Sequence, residues 1–310
     1  MQTTQNFQLT HTTIFIPDLA NHFYQAKKAE GLSPFTLTFY RQQLAHFLKY
    51  CEAQSITQIT EVTPVTLREF MLWHEETGHN PGGIHAAYRT VKVFLKWCDL
   101  EIEPDNWKNP IRKVKAPRVD LEPLEPARLD DISKLVDICK TDSFLDLRDK
   151  ALFLFLLDTG TRARECTSLD LQDIDIFSGE ITIRQGKGGK PRTVFSGQKT
   201  RRAIRAYLKK RGGEGSPALW ITGDRERLSY GGLRGLVTRR AEQAGIETPA
   251  LHSFRRAFAI SMLRAGTDLI TLARLMGHSD LTILQRYLKQ IPDDLRAAHV
   301  KGSPVDTLKI

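Results

Sequence analysis

The 310-residue chain has 41% hydrophobic and 26% charged residues, the balance of an ordinary globular protein, and its length suits about two domains. Its longest apolar run, Ala151 to Leu157, is far too short for a bilayer span, its start (Gln2 to Asn6) is polar, and its four cysteines form no CxxC pair; membrane, secreted and disulfide-framework classes are set aside in favour of a reducing cytoplasm. The net charge is +9, and 11 basic residues with no acidic one lie between Ile181 and Arg211, a patch suited to a polyanion.

In chain order, an amphipathic stretch from Pro17 to Glu30 opens a helical region. Ser33-Pro34 and Thr63-Pro64 supply N-cap and first-turn signals for two further helices, and Gly82-Gly83 precedes another carrying Ile84, Ala87, Tyr88, Val91 and Phe94 on one face. Residues 1–104 therefore read as a compact helical domain. Five prolines between Glu103 and Pro126 predict an extended basic linker over 105–126, with Lys113 and Lys115 suited to a phosphate backbone. Residues 127–310 mix both element types. A buried helix from Asp146 to Leu157 ends at Thr159-Gly160, and Ile181/Ile183 and Arg192 to Phe195 read as strands flanking a Gly186–Lys190 turn. Helical patterns follow over 197–211, 229–244, 252–264, 268–276 and 280–290. The fold class is mainly α with a small β-sheet.

No P-loop and no HExxH motif is present, and no two of the nine histidines stand at metal-ligand spacing beside a carboxylate, so neither a metal nor any other cofactor is expected. What remains is Thr159-Gly160-Thr161-Arg162 with Glu165, Lys187 in the turn, His252 and Arg255 three apart, and Gly277-His278 followed nine residues later by Tyr287. Singly, each has a plain structural reading. Arg162 and Glu165 suit an ion pair, Lys187 a solvated turn, His252 a cap, His278 a helix-end histidine and Tyr287 a core position.

Together, in this order and spacing, they resemble the tyrosine recombinase (phage integrase) family of the Xer and simple-integrase type. The TGxRxxE, GKGxK, HxxR and GH…Y patterns match Arg162 and Glu165, Lys187, His252 and Arg255, and His278 and Tyr287. The resemblance covers nearly the whole chain, with the helical half similar to the core-binding (SAM-like) domain and the rest to the catalytic domain. Three positions depart: Arg256 stands where the family often has histidine, Arg164 where serine is usual, and Met276 where leucine is usual.

The resemblance implies a site-specific DNA recombinase working without metal or ATP. Tyr287 would attack the scissile phosphate, giving a 3′-phosphotyrosyl link and a free 5′-hydroxyl, with exchange through a Holliday junction. Arg162 and Arg255 would bind the phosphate oxygens, Lys187 would protonate the leaving oxygen, His252 and His278 would assist, and Glu165 would orient Arg162. Lys113, Lys115, Lys190, Arg192 and Arg256 are expected at DNA. Implied partners are double-stranded core sites, a homotetramer on two sites or a second recombinase, and an accessory or directionality protein, all in a prokaryotic cytoplasm. About fifteen residues precede the first helix, too few for an arm-site domain. The apolar tail (Val305, Leu308, Ile310) is expected to dock on its own domain or a neighbour's. The alternative is a DNA-binding protein of this fold that has lost catalysis.

Overall fold

The structure, a computed structural model, describes residues 14–118, 125–184, 191–213, 215–277, 299–300 and 303. The chain divides into two compact units, Met1–Leu121 and Glu122–Ile310.

The first unit is built on α1 (Ile16–Ala29), α2 (Pro34–Ala53), α3 (Pro64–Glu76) and α4 (Pro81–Trp97). The last three begin with the same device. Proline stands at the first helical position, where its missing N–H costs nothing, and a polar cap precedes it. Ser33, Thr63 and Asn80 each accept a backbone N–H three residues on, from Thr36, Thr66 and Gly83. The apolar faces meet in a core of Leu19, Phe23, Phe47, Phe70, Val91 and Phe94. Its rings meet edge to face, Phe47 and Phe70 at 5.1 Å and Phe23 and Phe94 at 5.6 Å.

The segment expected to be an extended linker over 105–126 is folded in its first half. A short 3-10 turn, Pro110–Lys113, follows Asn109, whose amide donates to the Leu95 carbonyl at 2.9 Å. Ile111 and Val114 are buried in the helical core, and Tyr88 donates its hydroxyl proton to the Val114 carbonyl. The prolines forbid a regular helix here, but two apolar side chains still gain by burial.

The second unit is arranged around α6 (Phe144–Thr159), whose Ala151 to Leu157 stretch is wholly apolar, with Ala151, Leu152, Phe153, Phe155 and Leu156 all buried. Against it pack α5 (Leu129–Asp137), α8 (Gln198–Arg211) and α10 (Leu251–Arg264), while α7 (Ala163–Ser168) packs with α9 (Tyr230–Ala244) and α11 (Leu269–Met276) with α10. The sequence reading had no place for α5 and α7, which are nine and six residues long. Strands β1 (Glu180–Ile183) and β2 (Arg192–Phe195) pair antiparallel, Ile181 facing Val194 and Ile183 facing Arg192.

All four cysteines are free and buried, and burial pushes the Cys51 and Cys139 thiols up to about 12 and about 11. Among the described residues, no helix is long and apolar enough to cross a membrane.

Candidate active site

The site starts where α6 stops. Gly160 turns the chain at φ +59°, and a Cβ there would lie 2.2 Å from the Phe258 ring, so both conformation and packing require glycine. The turn delivers Arg162, in extended backbone, to the start of α7. One turn on, Glu165 is buried and reaches back. Its Oε2 accepts the Arg162 backbone N–H at 2.8 Å and its Oε1 accepts the Arg162 guanidinium at 2.8 Å.

The same carboxylate grips a second guanidinium. Arg192 donates through both terminal nitrogens to Glu165 at 2.9 and 2.7 Å, a bidentate pair. Burial alone would raise the Glu165 carboxyl; the Arg192 hydrogen bonds and the Arg162 N–H outweigh it and hold the group down at about 2. Glu165 thus stays ionised and fixes both arginines.

Arg255, in the second turn of α10, is only 1% exposed. It donates to the Gly160 carbonyl at 2.7 Å and to the Met276 carbonyl at 2.6 Å, at the C-terminal ends of α6 and α11. Helix ends leave such carbonyls without intrahelical partners and carry partial negative charge, so a cation between two of them is well placed. Arg192 takes the neighbouring carbonyl, Leu275, at 3.2 Å. Gly277 closes α11 at φ +64°, and a Cβ on it would come within 2.9 Å of the Arg192 side chain.

His252 lies in the first turn of α10 and remains exposed. Partial burial of its ring, then the charges of Arg255, Arg256 and Arg162, lower its pKa below the ordinary histidine value, so the imidazole is neutral at pH 7. The structure therefore brings Arg162, Glu165, His252 and Arg255 together, with Arg192 added. Lys187, Lys190, His278 and Tyr287 lie outside the described residues, as does the tail from Pro304.

Two expected DNA contacts are otherwise employed. Arg192 faces the protein interior, holding Glu165 and Leu275, because it shares the inward face of β2 with Val194. That alternation was present in the sequence and is the signal that identifies it. Arg256 is also buried and donates to the Glu125 carbonyl at 2.8 Å, fastening the segment that enters this unit. Arg211, within the basic run, is fully buried against the carbonyls of Gly212, Ser216 and Ala218. Lys113 and Lys115 are exposed. Arg164 is exposed and lies over the Tyr230 ring at 5.1 Å.

Comparison with known proteins decides the lineage. The phage integrase family matches residues 127–292, and its N-terminal SAM-like domain matches residues 21–101. The chain belongs to the phage integrase family. It is 29% identical over 288 residues to the tyrosine recombinase XerC of Thermodesulfovibrio yellowstonii, covering 90% of this chain and 92% of that one. It is 29% identical to XerA of Saccharolobus solfataricus over 293 residues, with 92% of each covered. In fold it is similar to the Tn1549 transposon integrase solved with transposon right-end DNA (TM-score 0.74, 18% identity, 92% of this chain and 99% of that one). It is likewise similar to a lambda integrase dimer bound to a core site (TM-score 0.71, 15% identity, 89% and 78% covered). This phage integrase family member is a Xer-like, tyrosine-type site-specific DNA recombinase.

Proposed function

We propose that this recombinase breaks each strand by attack of Tyr287 on the scissile phosphate, with Arg162 and Arg255 stabilising the charge that builds on the phosphorane. The observation that carries this reading is the clamp beneath the site: one buried carboxylate and three helix-end carbonyls hold Arg162, Arg192 and Arg255 with bonds of 2.6 to 3.2 Å. A phosphate in transfer gains charge, and donors fixed beforehand need no reorganisation at that moment. Guanidinium suits the task because it stays protonated and pairs with phosphate oxygens in bidentate fashion.

In this scheme Tyr287 becomes a 3′-phosphotyrosyl ester and the 5′-oxygen leaves with a proton from Lys187. Neutral His252 is ready to take the tyrosine proton, and His278 hydrogen-bonds a phosphate oxygen. The ester conserves the bond, so rejoining needs no ATP, and the second unit would need no metal. Four protomers on two double-stranded core sites, exchanging strands through a Holliday junction in the cytoplasm, complete the proposal. The exposed Lys113 and Lys115 lie along the DNA backbone. A second recombinase in the tetramer and an accessory or directionality protein fit the same scheme.

The test is covalent capture on nicked suicide substrates in magnesium-free buffer. The native chain forms an SDS-resistant protein–DNA adduct, and Tyr287→Phe binds the same DNA without forming one. Tight binding with no adduct from either protein would overturn the catalytic reading.

A further inference from the structure

Far along the sequence from the recombinase motifs, the first unit gathers three imidazoles. His46 comes from α2, His74 from the last turn of α3, and His79 from the turn that leads into α4. One nitrogen from each lies within 4.8 Å of the other two. The sequence concealed this group, since His74 and His79 are five apart and His46 stands well upstream on another helix.

His74 is the decisive member. It is 1% exposed, and both its ring nitrogens are buried without a hydrogen-bond partner. Its ring lies flat on Phe70 at 5.6 Å and on His79 at 3.8 Å. If packing were its whole purpose, a phenyl ring would fill the space without the cost of two unsatisfied polar atoms.

His79 is oriented as metal-bound histidines are. Its Nδ1 lies 3.2 Å from the His74 carbonyl, which can only accept, so that nitrogen carries the proton and Nε2 carries the lone pair. A backbone carbonyl fixing the far nitrogen is the usual outer support of a ligating imidazole. Thr77 reinforces the turn, its hydroxyl meeting the Trp73 and His74 carbonyls at 3.0 Å and the same Nδ1 at 3.2 Å.

We propose that His46, His74 and His79 form a zinc site that ties α2 to the α3–α4 turn. Zinc–nitrogen bonds of about 2.0–2.1 Å set the nitrogens of a bound trio roughly 3.4 Å apart, so modest side-chain rotations close the cluster around the ion and fan the rings out. Three neutral imidazoles suit a borderline ion such as zinc, nickel or copper and disfavour magnesium and calcium, which require oxygen ligands. Water completes the tetrahedron. The ion is structural, well separated in sequence from Arg162 and Arg255, and plays no part in strand cleavage.

The experiment uses the full chain without a polyhistidine tag, stripped by chelator and exchanged into chelator-free buffer. Zinc is titrated against a chromophoric competitor, and cobalt is added separately as a spectroscopic probe. His74→Phe preserves the ring stack, His79→Gln and His46→Gln each remove one ligand, and His85→Gln is the control. The native chain and the control bind about one zinc, show the visible d–d absorption of tetrahedral cobalt, and gain roughly 2–4 °C in melting temperature with zinc. Each ligand variant keeps its helical circular dichroism and loses roughly 100-fold or more in affinity together with the cobalt band. Native binding weaker than about 10 μM, well outside the range of structural zinc, would overturn the site. Affinity or a cobalt band unchanged in all three ligand variants would overturn it as well. Should His74→Phe misfold, the other two variants decide. None of these readouts depends on DNA cleavage, so the result stands apart from the Tyr287 test.

Discussion

The two units solve the problem of a stable interior in opposite ways. The first fills its core with Phe23, Phe47, Phe70, Phe94 and aliphatic neighbours, and spends polar side chains on capping its helix starts. The second buries charge. Glu165, Arg211 and Arg255 are all at most 6% exposed, and Arg148 and Asp149 form a further internal pair that Arg240 joins. Charge inside a protein costs free energy unless it is paired or hydrogen-bonded; here Glu165, Arg148 and Asp149 are ion-paired, while Arg211 and Arg255 donate to backbone carbonyls. The difference reflects the task. A helical platform needs only shape, whereas a site for an anionic transition state needs cations whose positions are already settled.

That contrast can be broken by variants read unit by unit. Fluorotryptophan labelling separates the units, since Trp73, Trp97 and Trp107 report on the first and Trp220 on the second. Arg255→Ala has the largest expected effect. It leaves the Gly160 and Met276 carbonyls without their cation, removes about 4 kcal/mol of stability and shifts the urea midpoint of the Trp220 resonance alone. Adduct formation on nicked DNA falls by about 10²–10³ or more. If all four resonances shift together, the units unfold as one block and the contrast fails.

Glu165→Gln comes next and carries a pH signature. Because the folded carboxyl sits near 2 against an ordinary 4.5, its contribution is fully present above pH 4.5 and is lost as pH falls through 2. The difference corresponds to on the order of 3 kcal/mol. The native Trp220 transition should weaken across that window, and the variant's should be lower at neutral pH and flatter in acid. In the first unit, Thr63→Ala should cost only about 1 kcal/mol, read from the three tryptophans there, with no change in cleavage of saturating DNA. The smallest effect is on binding. Lys113→Ala or Lys115→Ala should each reduce the salt dependence of DNA affinity by about one unit of slope, whereas Arg192→Gln, an internal strut, should destabilise the second unit and leave that slope unchanged.

The first unit was legible because its signals are local. Ser33-Pro34 and Thr63-Pro64 mark helix starts by chemistry that operates within one turn, and the apolar period follows at once. The linker was misjudged for the same reason. Proline count speaks of the backbone, while the burial of Ile111 and Val114 depends on Tyr88 and Leu95 on another helix. In the second unit, the short α5 and α7 give too few turns for a period to declare itself. The grouping of Arg162, Glu165, His252 and Arg255 followed from family resemblance. Their support did not, because Gly160, Leu275 and Met276 act through backbone carbonyls that carry no sequence signature. Basic composition likewise cannot distinguish an arginine turned outward from Arg192, Arg211 or Arg256 turned in.

The short helix α11 has eight residues and rests on a small separate cluster of Phe258, Ala259, Ile260, Leu272, Ala273 and Met276, outside the main core. Elements held by so few apolar contacts open more often than the domain around them. Each such opening withdraws the Leu275 and Met276 carbonyls from Arg192 and Arg255 in one event. Only part of the anchoring depends on this one small helix: with α11 open, Glu165 still grips Arg162 and Arg192, and the Gly160 carbonyl still accepts Arg255. A ligand that bridged the guanidiniums would favour the closed position of α11 to the extent that it binds the fully anchored arrangement more tightly.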